Sequence, residues 1–374
     1  MMGSLGIGAL LTLGCMLGAI PGEPGTPAVA RNDRQILGRV VETHFDSAFL
    51  TRARSYQRPR VILFLAEMAL VLLVAAILLA GPWSRWGPSA IPRWLAESSV
   101  LSRIWLLTLL YTGFELLQFP FHVVLFRHAR AAGLRHDSWA SFLGDAGKAF
   151  AVGWVQVVVA GLLVLWLLAA FPRKGWILGA AGIGALASLY MILAPLVIDP
   201  LFHRFHSLED AALRERLLGI ATAGGVPARD ILVADASRRT RAVNAYFTGL
   251  GTTPRIVLYD TLLERFDHDE IAVVLAHEVG HWKHRHVAKG LAWGTLGALV
   301  ALGSLSWLFA RAGVSGRSDP ALAIPAFAWA MLLLVLGALP ANFISRRMET
   351  EADRTSLELT ADPQTFVRSE VHLV

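Results

Sequence analysis

Apolar positions along this chain come in long unbroken runs, not in the alternations of a soluble domain. Runs of the ~20 residues that a bilayer core requires lie near 3–20, 61–81, 104–126, 149–171, 176–198, 288–310 and 321–343. The pattern predicts an α-helical polytopic membrane protein with about seven transmembrane helices. Between the fifth and sixth runs, residues 199–287 mix charged and apolar positions as a water-soluble fold does. There, Asp210 to Thr222 carries the helical period and Ile231 to Ala234 reads as a short strand. Ala242 to Leu258 reads as a small β-hairpin interrupted at Gly249-Leu250-Gly251-Thr252-Thr253-Pro254. A further helix starts near His268, with Asp267 as its N-cap and Glu270 placed to close a capping box. Glu115 interrupts the third apolar run, so it faces protein or water; it either lines a polar chamber or bonds one helix to another.

Charge orients these spans. With seven of them, segments 21–60, 127–148 and 199–287 and the C-terminal tail share one side. That side holds most arginines, including Arg31, Arg34, Arg39, Arg52, Arg54, Arg58 and Arg60. The opposite loops carry small groups such as Arg85, Arg93 and Arg103, or Arg173 and Lys174. The positive-inside bias places 199–287 in the cytoplasm, as part of a multi-pass protein of the plasma membrane. The expected organisation is an N-terminal span and cytoplasmic segment (1–60), helices two to five (61–198), a mostly helical cytoplasmic domain (199–287), helices six and seven (288–343) and a tail helix (344–374). A mean hydropathy of +0.53 with only 17% charged residues agrees with extensive lipid contact. The net charge of +6 then reads as headgroup contact. No basic and aromatic stacking patch accompanies it, and no nucleic-acid partner is expected.

Cys15 is the only cysteine, so any metal must be held by His, Asp or Glu. The stretch His277-Glu278-Val279-Gly280-His281, after an apolar run, has the spacing of a helical zinc site. Residues four apart share a helix face, so both imidazoles reach one ion while Glu278 reaches its water as general base. Zinc lowers the pKa of that water towards ~7. A third ligand is needed. His284 shares the face but lies ~10.5 Å along the axis from His277, too far for bonds of ~2 Å. It reads as solvated or headgroup-facing, like His286, His203 and His206. After the last span, Met348-Glu349-Thr350-Glu351-Ala352-Asp353 offers a better choice. Glu349 and Asp353 share one face, whereas Glu351 points elsewhere. Glu349 is therefore the expected third ligand, with Asp353 behind an imidazole to fix its tautomer. The expected cofactor is one Zn2+ per chain.

Four stretches together resemble the integral-membrane CAAX prenyl proteases of the M48 zinc metallopeptidases: Asn244-Ala245-Tyr246-Phe247, Arg255 to Leu263, His277 to Lys283 and Ser345 to Asp353. Weaker similarity runs through Gly133-Leu134, Ser138-Trp139, Asp145 to Lys148 and Asp199 to Phe202. The resemblance implies the same zinc roles for His277, His281, Glu349, Glu278 and Asp353. It also implies a ring of seven transmembrane helices enclosing a water-filled chamber. It implies a substrate peptide laid beside Asn244, Ala245 and Tyr246 by β-addition. Relatives continue into a segment with a His-Pro pair and an arginine near the site, which Val374 precedes. A catalytically impaired membrane chaperone or scaffold is accordingly the alternative to an endopeptidase, and a transporter ranks third. Expected partners are a peptide or membrane-protein substrate and membrane lipid; the oligomeric state is left open, a monomer being compatible with the sequence. With 4 Lys against 30 Arg, a bacterial source and membrane-protein quality control compete with CAAX-type processing.

Overall fold

The computed structural model describes residues 46–80, 99–248, 255–311 and 322–373; the expected first span, Cys15 and the Gly249 to Pro254 interruption lie outside them. Among the described residues six helices are long and apolar enough to cross a membrane. Four come first: α1 (Ser47–Ala80), α2 (Val100–Ala131), α3 (Trp139–Ala170) and α4 (Gly175–Leu193), the last prolonged helically through Phe202. Ser99 and Ser138 start α2 and α3 by accepting from backbone N–H groups three residues on, which would otherwise be unpaired. Leucines such as Leu73, Leu116, Leu334 and Leu339 are 57–75% exposed, which only lipid as surrounding solvent makes favourable. Polar pairs join the helices to one another. Gln118 donates to Glu67 at 2.8 Å, the Trp154 indole to Thr108 at 2.9 Å, and the Trp329 indole to Ser304 at 3.0 Å. Glu115 lies against the Tyr111 hydroxyl.

The chain then leaves the membrane as β1 (Phe205–Ser207), α5 (Ala211–Ala223), β2 (Ile231–Ala234), β3 (Ala245–Thr248), β4 (Arg255–Tyr259), α6 (Asp260–Arg265) and α7 (His268–Lys283). It returns through α8 (His286–Arg311) and α9 (Ala323–Thr360), the remaining two candidate spans, and ends in α10 (Pro363–Leu373). Asp210 caps α5, and the Asp267–Glu270 capping box opens α7 as the spacing predicts. The expected hairpin is the β3–β4 pair, but it belongs to a four-stranded sheet of order β1-β2-β4-β3. β2 runs parallel to β4 and antiparallel to β1. Three-residue β1 is too short to announce itself by alternation. Leu217, Ile231, Ile256, Leu258, Leu262 and Leu275, each 0% exposed, join sheet, α5, α6 and α7 in one core.

This domain is tied to the membrane helices by the weaker motifs. Arg239 is buried between the Asp145 carboxylate of α3, at 2.7 and 3.2 Å, and the Phe202 carbonyl. Lys148 spans Asp145 and the Leu201 carbonyl. Leu134, after α2, accepts from the Arg241 N–H and the Thr240 hydroxyl. One expectation fails here. His203 is not solvated: it is 6% exposed, set between the rings of Phe205 and Tyr259, and burial lowers its pKa. The sheet folds back over it, which local polarity does not reveal; His206, in β1, is exposed as expected.

Replacing Arg239 by Ala leaves the Asp145 carboxylate without its principal partner and should cost ~3–5 kcal/mol. Thermal unfolding in detergent checks this, and Arg239→Met paired with Asp145→Leu should be milder than Arg239→Ala alone.

Candidate active site

Helices α7 and α9 build the site between them. They approach closely because Gly280 has no side chain: a Cβ there would lie 2.7 Å from the Ala352 Cα and 3.0 Å from its carbonyl oxygen. Beside this crossing Ala352, Thr355 and Ser356 are 0–1% exposed, and the Ser356 hydroxyl donates to the Val273 carbonyl at 2.8 Å. The seam sets Glu349 and Asp353, one turn apart on α9, opposite His277 and His281, one turn apart on α7.

The resulting distances are those of a metal centre. His277 Nε2 and His281 Nε2 are 3.1 Å apart, and Glu349 Oε2 lies 3.3 Å from the first and 3.6 Å from the second. Tetrahedral ligands at ~2.0–2.1 Å from zinc stand about 3.3 Å from one another, so the three atoms fit one ion. The proton positions fit as well. Asp353 Oδ1 sits 2.8 Å from His277 Nδ1; an ionised carboxylate only accepts, so Nδ1 holds the hydrogen and Nε2 can offer its lone pair. The chemistry of the donor set, two imidazoles and a carboxylate, matches catalytic zinc. Glu278 joins the two histidines in one cluster of potential ligand atoms.

Without the metal's charge, these carboxylates hold a proton on His277. Burial alone would lower the His277 pKa, but the hydrogen bonds with Asp353 and Glu349 and the field of Glu278 outweigh it and raise it to about 10. Burial raises the pKa of Glu278 above the ordinary glutamate range, against the opposing pull of both histidines.

His277, Glu278, Glu349 and Asp353 open on a cavity of about 360 Å³. Asn244 and Ala245, at the start of edge strand β3, line its wall. Tyr246 does not: its ring packs against Tyr259 and its hydroxyl meets Asp199 at 3.5 Å, as strand alternation requires. The wall also takes in residues that the spacing does not point to, among them Glu370 and Leu373 of α10. Burial and the nearby Asp353 carboxylate raise the Glu370 pKa.

The histidines after His281 are also not where residue type put them. His286 is 5% exposed, with Nδ1 2.8 Å from His281 Nδ1 and Nε2 2.9 Å from Glu351 Oε2. His284 is half-buried and bonds the Thr355 hydroxyl at 3.0 Å. Neither is freely solvated, and Glu351, expected to face away, reaches the site through His286.

Comparison with known proteins gives the family. The model for peptidase family M48 matches residues 207–374, and that for the CAAX prenyl protease N-terminal region, described as five membrane helices, matches 28–204. The chain belongs to peptidase family M48. Relatives of this M48 peptidase include YhfN of Bacillus subtilis, an uncharacterised metalloprotease 27% identical over 86% of this chain and 77% of its own length. CAAX prenyl protease 1 of Saccharomyces cerevisiae is 43% identical over 29% of this chain and 24% of its own. The Arabidopsis thaliana homologue is 29% identical over 79% and 73%. The crystal structure of S. mikatae Ste24p superimposes with a TM-score of 0.72 at 23% identity, covering 89% of this chain and 84% of that one, and shows a shared fold. The M48 peptidase is thus a membrane metalloprotease that acts on peptide or protein substrates.

Two outcomes follow. Gly280→Val should push α7 from α9, lower stability by ~1–3 kcal/mol and abolish tight metal binding, checked by metal content after gel filtration. Because metal-free His277 holds a proton up to pH about 10, metal entry must release it. Affinity measured by chelator competition should therefore rise about tenfold per pH unit between pH 7 and 9; a flat profile contradicts the protonated site.

Proposed function

We propose that this protein is a zinc endopeptidase in which His277, His281 and Glu349 hold one Zn2+ per chain. Glu278 is its general base and Asp353 orients His277. The mutual spacing of the three ligand atoms, 3.1, 3.3 and 3.6 Å, carries the reading. Bound there, zinc supplies Lewis-acid polarisation and lowers the pKa of water. The chain's own residues do the rest. Edge strand β3 pairs through main-chain hydrogen bonds with an extended peptide, lodging it along Asn244 and Ala245. Glu278 takes the proton of the attacking water and passes it to the departing amine nitrogen. Its raised pKa suits a group that must both accept and return a proton near neutrality.

The positive-inside bias supports a plasma-membrane protein with the zinc domain on the cytoplasmic face, next to a chamber enclosed by the spans. Substrates are extended polypeptides reaching that face from the membrane. The names of the yeast and plant relatives favour CAAX-type tails. The arginine-rich composition and the Bacillus relative favour membrane-protein quality control. No observation favours the impaired chaperone or scaffold.

Glu278→Gln should lower cleavage of an unfolded reporter by at least ~10²–10⁴ while metal content stays at one per chain. Equal turnover by both proteins removes Glu278 from the mechanism. Glu349→Ala should lose the metal itself; undiminished affinity would exclude Glu349 as a ligand. Reporters with and without a prenylated C-terminus separate the two substrate classes.

A further inference from the structure

His286 is 5% exposed and touches two groups of opposite kind. Its Nε2 lies 2.9 Å from Glu351 Oε2, which also takes the Lys289 ammonium at 3.1 Å. Its Nδ1 lies 2.8 Å from His281 Nδ1. The carboxylate can only accept, so His286 carries hydrogen on Nε2. A neutral imidazole protonated there presents a lone pair at Nδ1, and the contact between the two Nδ1 atoms then requires His281 to donate. That leaves the Nε2 lone pair of His281 facing His277 Nε2 and Glu349, 3.1 and 3.6 Å away. The chain of bonds Glu351–His286–His281 thus selects the one His281 tautomer that can ligate a metal.

The backbone is bent to make this contact. Residues five apart on a continuous helix stand ~140° round the axis and do not meet. Between α7 and α8, however, Arg285 takes a left-handed φ of 53°, a conformation that costs a residue with a Cβ ~1–2 kcal/mol. The step turns the first residue of α8 back, with the His286 and His281 rings 5.0 Å apart and inclined at 72°. His277 needs no such device, because Asp353 backs it directly at 2.8 Å. Alternate residues of α9 therefore serve both histidines: Glu349 faces the pair, Asp353 fixes His277, and Glu351 acts on His281 through His286.

We propose that His286, set by Glu351, is a positioning residue that holds His281 in its metal-binding tautomer and orientation. This rests on His281 being a ligand. It assigns a role to two side chains that touch neither the metal position nor the substrate cavity. Groups behind metal-bound histidines change affinity ~10–100-fold when removed.

The test uses the full-length protein in detergent, stripped of metal and titrated with Zn2+ against a chelator and with Co2+ by visible absorption. His286→Phe keeps a ring but no acceptor; it should weaken metal binding ~10–100-fold and alter the cobalt spectrum. His286→Asn, whose amide oxygen can stand in for Nδ1, should recover most of the affinity and the spectrum. Glu351→Ala, at a half-exposed carboxylate, should fall between them and carries the test alone if His286→Phe does not fold. Wild-type affinity and spectrum in His286→Phe or Glu351→Ala, or no recovery in His286→Asn, overturns the positioning role. His281→Ala separates the two readings. If it binds metal as wild type does, the ligand set falls and this proposal with it. If it alone loses the metal, the ligand set stands and the role of His286 falls.

Discussion

The contact on which the rest depends is the crossing of α7 and α9 at Gly280 and Ala352. A methyl group at Gly280 would meet the Ala352 backbone at 2.7 Å, so the separation of the two helices is set by what Gly280 lacks. The polar distances from α9 to the histidines follow from that separation. Glu349 reaches both His277 and His281, Asp353 reaches His277, and Glu351 reaches His286, all from one stretch of α9. Bond lengths to zinc tolerate only tenths of an ångström, and long glutamate side chains on loosely packed helices would not hold such spacing. The buried seam of Ala352, Thr355 and Ser356 supplies the rigidity.

The crossing also joins two environments. α9 leaves the membrane as an apolar span and continues without a break into the acidic stretch, while α8 begins at His286 beside the site and runs into the membrane. The site is thus fixed to spans on both sides. Asp145, Lys148 and Arg239 fasten the sheet to α3 in the same way. Strand β3, which borders the cavity, follows directly from that fastened segment.

What the sequence disclosed depended on how local the governing physics is. Six apolar runs are spans because span length and hydropathy are properties of contiguous residues, and the capping box of α7 spans only Asp267 to Glu270. His277 and His281 were legible from the helical repeat, and Glu349 and Asp353 from the same repeat on a second helix; the repeat says which residues share a face, and the requirement for a third ligand pairs the faces. His286 was not legible, because its contact with His281 needs a left-handed Arg285 that residue type does not announce. Glu351 went with it, since its partner lies beyond that turn. His203 reads as solvated from residue type alone because its burial comes from a sheet assembled across distant segments, and β1 is too short to carry a period. Glu370 and Leu373 enter the cavity wall through the packing of α10 on α7, which no spacing encodes.

The central claim is that two imidazoles and one carboxylate of this chain meet at a single zinc. X-ray absorption at the zinc edge of the purified, zinc-loaded protein reads that shell directly. Four N or O scatterers are expected at ~2.0–2.2 Å, with the outer-shell scattering of two imidazole rings, reduced to one ring in His281→Ala where excess Zn2+ refills the weakened site. A shell containing no imidazole, or one unchanged by that substitution, would contradict it.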